Sequence, residues 1–173
     1  HSFSTRRSSD LGASCLLAAR MAKQRIRPIA IGIFRHADKI LVFEGRDPSR
    51  DLTFYRPLGG AIHFGETSEE ALRREMREEL GSDVDDLRFL GVLESIFTYR
   101  GMPGHELVMV HEGRLRERAL YEQREFQATE GTRHPTPIRC LWLPLSSFEG
   151  GERTLFPDGL LAMLTSGDER GRP

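Results

Sequence analysis

GAIHFGETSEEALRREMREELGS, from Gly60 to Ser82, is the stretch on which the fold turns. Thr67 with Glu70 three residues on makes a capping box, and Gly81 supplies the left-handed stop of a helix running between them. Leu72, Met76 and Leu80 recur every four residues and form a stripe that faces a core. Glu75, Glu78 and Glu79 stand at i, i+3 and i+4, about 100° apart per residue, so three carboxylates share one face beside that stripe. Like charges at this spacing each cost about 0.2–0.5 kcal/mol unless a cation offsets them. A divalent metal would reverse the sign. Arg73, Arg74 and Arg77 take the remaining side.

Upstream, Pro28–Phe34 and Lys39–Glu44 read as strands joined by a polar turn at His36–Asp38, a hairpin pattern. Gly45–Asp51 is a Pro- and Asp-bearing loop, and TFYRPLGG runs extended into Gly59 and Gly60. Downstream, strands are predicted at Leu87–Tyr99, with a break near Glu94, at Glu106–Leu115 and at Ile138–Leu143. Arg116–Pro137 between the last two is polar and reads as a loop that is flexible or faces a substrate. A short apolar helix, Gly159–Thr165, closes the domain.

The chain has 173 residues, enough for one domain with a real core. Residues 21–165 are expected to form that domain, and 166–173 a frayed tail. Residues 1–20 are rich in Ser and Arg, as transit peptides are, but Ser2–Leu11 resembles the conceptual translation of a sequencing adapter. They are expected to be a non-native or disordered extension rather than a targeting segment. Lys plus Arg number 25 against 26 Asp plus Glu, so no global field argues for nucleic acid or a membrane surface as partner. No apolar stretch approaches the roughly 20 residues that span a bilayer. Cys15 and Cys140 form no CxxC pair and read as reduced thiols, which points to the cytoplasm.

The glycine, the glutamate five residues beyond it, the Arg-Glu pair after seven more and the closing paired glutamates together resemble the Nudix box. Gly60, Glu66, Arg74, Glu75, Met76, Glu78, Glu79 and Gly81 match it. Ser82 departs, standing where a bulky aliphatic residue is usual, and His63 stands where many relatives carry Glu. The resemblance implies an α/β fold, an α/β/α sandwich with a mixed sheet, and a hydrolase of nucleoside diphosphates linked to a moiety X. It implies Mg²⁺, with Mn²⁺ as a substitute, held by Glu78 and Glu79 with Glu75 third and the backbone carbonyl of Gly59 as a further ligand. Arg74 is expected to orient Glu75 through an ion pair.

Pyrophosphate cleavage needs anionic oxygens neutralised and a water delivered in line, which carboxylate-held Mg²⁺ can do. The general base is left open among a box glutamate, Glu106 and Glu130. Glu66 is read as structural, and Arg56 as a candidate phosphate contact. His105 and His111 lack a third ligand for zinc. Tyr99 stands where the dinucleoside polyphosphate branch of the family carries a tyrosine, and it could equally stack on a base or fill a core. The expected partner is a small-molecule nucleotide, with a homodimer open. Two competing classes are a nucleotide-binding sensor, which often loses box glutamates that this chain keeps, and an isomerase, which would need further His and Cys groups near the site.

Overall fold

The computed structural model describes residues 25–131 and 135–168. The expected N-terminal extension, with Cys15, lies outside them, as do residues 169–173. Among the described residues nine strands form two sheets that share β1 (Arg27–His36). In the first, β1 lies parallel to β6 (Met102–Leu115) and antiparallel to β4 (Gly59–Ala61), while β5 (Val84–Tyr99) pairs antiparallel with β6 at the edge. In the second, β2 (Lys39–Asp47) lies between β3 (Leu52–Arg56) and β8 (Thr136–Pro144); β7 (Glu125–Glu130) pairs with β8, and β9 (Thr154–Leu155) runs parallel to β3. The expected β1–β2 hairpin is present, yet only Arg35↔Ile40 and His36↔Lys39 pair across it. Most of β1 turns to β6 and β4 instead.

Strand alternation decides which layer each residue of β1 serves. Ala30 and Phe34 point to a core shared with Leu72 and Met76 of helix α1 (Ser68–Leu80), whereas Ile29, Ile31 and Ile33 point to a second core with Leu160 and Leu164 of a C-terminal helix. A strand buried on both faces reads as a continuous apolar run, which PIAIGIF is. Helices therefore cover both sides of a mixed sheet, as expected for an α/β sandwich.

Helix α1 begins and ends where its signals put it. Thr67 accepts the Glu70 N–H, the Glu70 carboxylate returns to the Thr67 N–H at 2.8 Å, and Gly81 closes the helix at φ 64°. Leu72 and Met76 are fully buried, with Ala71 beside them, and Leu80 is half-buried.

Three expectations are corrected. Arg116–Pro137 is no simple loop, because it carries helix α2 (Ala119–Glu122) and β7. Leu120 and Ala128 are its buried anchors, and the Trp142 indole N–H donates to the Leu120 carbonyl at 2.9 Å. β5 runs unbroken through Glu94; its irregularities fall at Asp85/Arg88 and Phe89/Gly91. After α3 (Ser146–Glu149), the closing helix α4 (Leu160–Asp168) extends past Thr165 into the expected tail. Among the described residues no helix is long and apolar enough to cross a membrane.

Candidate active site

Two glycines bring α1 against the sheet. Gly59 has φ 139°, and a Cβ there would collide with the Ala30 carbonyl oxygen, so only glycine lets β4 lie this close to β1. A Cβ on Gly60 would overlap the Glu75 carboxylate. The glycine pair thus serves two neighbours at once, the sheet on one side and the acidic helix face on the other.

Arg74 organises that face. Its Nε and Nη2 donate to the two oxygens of Glu66 at 2.8 and 3.0 Å, Nη1 donates to Glu75 Oε1 at 2.8 Å, and Nη2 also reaches the Ala61 carbonyl at 2.9 Å. Glu78 Oε2 lies 3.5 Å from Nη1. The expected Arg74–Glu75 ion pair is present, and Arg74 faces the carboxylates rather than solvent. Arg73 and Arg77 face away, to Glu69 and Asp83. Glu66, doubly bonded by Arg74 and accepting the His63 N–H at 3.0 Å, is held down to about pKa 2, chiefly by the Arg74 hydrogen bonds. It braces the loop before the helix, and the His63 ring stands exposed 3.8 Å from it.

Glu79 differs from its neighbours. It is 8 % exposed, and its Oε2 is buried without a hydrogen-bond partner among the described residues. Burial pushes its carboxyl up to about 8, with the charges of Glu75 and Glu130 adding to the rise and a hydrogen bond from the Gly59 backbone and the charge of Arg56 opposing it. A buried carboxylate oxygen with no partner, next to two more carboxylates, fits a cation. Among the described residues no three acidic, His or Cys side chains already converge as a metal cage. The Arg74 guanidinium stands among them instead.

A cavity of about 510 Å³ lies among the strands and is lined by no residue of α1. Arg56 and Glu130, whose charges act on Glu79, both line it, as does Glu106. Glu106 is buried and ion-paired to Arg27, with Arg56 Nη2 3.7 Å from its other oxygen. Phe54, Tyr99 and Phe156 form an aromatic side of the cavity; Phe54 meets Tyr99 and Phe156 edge-on at 6.0 and 5.6 Å. Tyr99 is therefore a cavity residue and not core.

The remaining candidates lie elsewhere. His111 is buried against Ser68 Oγ at 2.9 Å, and His105 pairs with Glu94, so the two histidines share no ligand geometry. Cys140 is buried in β8, and burial raises its thiol to about 12. Ser82 is also buried: its hydroxyl accepts the Glu117 N–H at 3.1 Å and donates to the Asp83 carbonyl at 2.9 Å. The odd residue of the box thus secures the helix end by hydrogen bonds instead of apolar contact. Asp47, in the cavity wall, gave no signal in the sequence beyond membership of a polar loop.

A curated relative, NAD-capped RNA hydrolase NudC of Vibrio atlanticus (strain LGP32), is 36 % identical over 67 residues, 39 % of this chain and 24 % of that protein. The match therefore spans about a quarter of the relative's length. A solved NUDIX hydrolase from Nitrosomonas europaea superimposes with TM-score 0.58 at 14 % identity, covering 86 % of this chain and 92 % of that one. A structure described as ADP compounds hydrolase gives 0.54 at 17 % identity, covering 87 % and 78 %. These two share the fold. Residues 24–156 match the family model described as NUDIX domain, and the chain belongs to that family.

Proposed function

We propose that the protein is a Mg²⁺-dependent hydrolase that cleaves a pyrophosphate bond in a nucleoside diphosphate linked to a second moiety, with dinucleoside polyphosphates among its substrates. The observation that carries this reading is the buried, unpartnered Oε2 of Glu79 on the face that holds Glu75 and Glu78. Glu78 and Glu79 would hold the ion, with Glu75 and the Gly59 carbonyl completing the set; Mn²⁺ has the same preference for oxygen ligands. When bound, the ion would neutralise phosphate oxygens and polarise the attacking water.

The protein's own groups do the rest. Arg74 fixes the Glu75 carboxylate, leaving Glu75 as ligand or base. Glu106 serves two guanidinium groups, which suits it to holding Arg56 and Arg27 at the cavity wall better than to accepting a proton. Those arginines would meet substrate phosphate oxygens, and the ring of Tyr99 or Phe54 the base. In the cleavage a water oxygen bonds to phosphorus as the bridging P–O bond breaks; the water proton goes to a carboxylate and the bridging oxygen leaves on the product phosphate. Cytoplasmic residence accords with the buried thiol of Cys140. A homodimer accords with the exposed Phe89, Val92 and Ile96 on edge strand β5.

A panel of dinucleoside polyphosphates, nucleotide sugars, ADP-ribose, NAD and oxidised dNTPs with Mg²⁺ tests the reading by product analysis. Metal-dependent release of nucleoside phosphates supports it. Binding of nucleotides with no hydrolysis of any of them would replace it with the sensor reading.

A further inference from the structure

The two sheets meet again across the cavity. The tip of the β5–β6 hairpin, Arg100–Gly101, is a two-residue turn with both residues at positive φ, 51° and 74°, the geometry that continues strand twist through a tight hairpin. This tip reaches the end of β2 through two hydrogen bonds. The Tyr99 hydroxyl donates to the Arg46 carbonyl at 3.4 Å, and the Arg100 N–H donates to Asp47 Oδ1 at 3.3 Å.

Asp47, the last residue of β2, is unusual for an acid at a strand end. It is 2 % exposed, its Oδ1 also accepts the Ser49 N–H at 3.0 Å and the Ser49 hydroxyl at 2.6 Å, and its Oδ2 is buried with no partner among the described residues. The Ser49 hydroxyl bond leads the causes that hold its carboxyl below the usual range. Leaving a carboxylate oxygen buried and unpartnered is unfavourable, so the residue is explained by what its other oxygen joins. That oxygen ties the turn after β2 to the hairpin tip. Both segments line the cavity, through Arg46, Asp47 and Arg50 on one side and Tyr99 and Arg100 on the other. The Arg100 guanidinium lies over the Tyr99 ring at 5.2 Å, so fixing one of the pair fixes the other.

We propose that Asp47 is a positioning residue for substrate binding, the tie that holds Tyr99 and Arg100 at the cavity wall as a preformed receiver for the nucleoside end of the substrate. The inference rests on the nucleotide-hydrolase reading for the class of ligand. Its mechanism is pre-organisation: with the tie cut, the hairpin tip must be ordered by the ligand, and affinity falls by that cost while the acidic face of α1 is untouched.

The test is titration of the full chain in EDTA, where cleavage does not enter, with ADP, GDP, UDP and CDP and, separately, inorganic pyrophosphate. For the tightest nucleotide, Asp47→Ala is expected to weaken binding about tenfold, with pyrophosphate affinity unchanged. Asp47→Asn, which keeps an acceptor oxygen, is expected to recover most of the loss. In turnover, KM is expected to rise with kcat within about twofold. A Tyr99→Leu variant, which leaves the Asp47 bonds in place, is expected to match Asp47→Ala and guards against a folding defect in the latter. Unchanged nucleotide affinity in folded Asp47→Ala, equal losses for nucleotide and pyrophosphate, or no binding of any of the four nucleotides by the wild type would overturn the proposal. Tight, Asp47-dependent nucleotide binding by a chain that hydrolyses nothing would leave it standing and sink the hydrolase reading.

Discussion

The Glu75 carboxylate lies directly against the α-carbon of Gly60, so close that a methyl group at residue 60 would overlap its Oε1. Residue 60 therefore controls where a candidate ligand points, from a different element and without a side chain of its own. Gly60→Ala is expected to lower kcat/KM by about tenfold or more through displacement of Glu75, since misplacement by about 1 Å can cost about a hundredfold. Circular dichroism should be unchanged. Wild-type turnover in a folded Gly60→Ala protein would show that the position of Glu75 does not matter.

Glu79 makes a prediction about pH. Its carboxyl titrates near 8 in the folded protein, against 4.5 for an ordinary glutamate, mainly because it is buried. Between those values the folded state holds a proton that the unfolded state has lost, so the contribution of Glu79 to metal-free stability is greatest below about 4.5 and is lost as pH rises to about 8. In EDTA, Glu79→Gln is expected to flatten that part of the Tm–pH curve and to melt above the wild type at pH 8. With Mg²⁺ the same variant is expected to lose turnover while staying folded. Parallel Tm–pH curves for the two proteins would remove the buried-charge argument, and full activity would remove the ligand assignment.

At Ser82, removing the hydroxyl leaves the Glu117 N–H without its acceptor. Ser82→Ala is expected to cost about 1–3 kcal/mol in urea unfolding, and Ser82→Ile, which restores the usual aliphatic type, to recover none of it. Recovery by isoleucine would mean that apolar contact, and not the hydrogen bond, secures this helix end.

Burial raises the Cys140 thiol to about 12, so little thiolate exists near neutrality. In a Cys15→Ser background, Cys140 is expected to resist a thiol reagent until denaturant is added. Labelling of the native protein at pH 7.5 on the timescale of a free thiol would contradict its place in the core.

What could be read in the chain follows the range of the forces involved. The ends of α1 were legible because Thr67, Glu70 and Gly81 act over one turn, and its buried stripe because Leu72 and Met76 repeat with the helix. The run PIAIGIF gave a strand, but its parallel partner β6 lies too far along the chain for any local pattern to announce it. β7 escaped because polar residues flank its one buried residue, Ala128, so that the alternation is faint. At the site, the spacing of Glu75, Glu78 and Glu79 put them on one face, whereas the burial of Glu79 depends on β4 and on the strands that bring Arg56, Glu130 and Cys140 near it. Glu106 could be picked out as an acid on a strand. Its commitment to Arg27 and Arg56 is a product of three strands meeting.

Arg74 has a consequence for how the protein lives with its surroundings. Its guanidinium already stands among Glu66, Glu75 and Glu78, and Glu79 near neutrality keeps its proton. One fixed cation and one retained proton thus quiet the crowded helix face. The like charges on this face are offset within the folded chain itself, by a side chain that comes from the same helix.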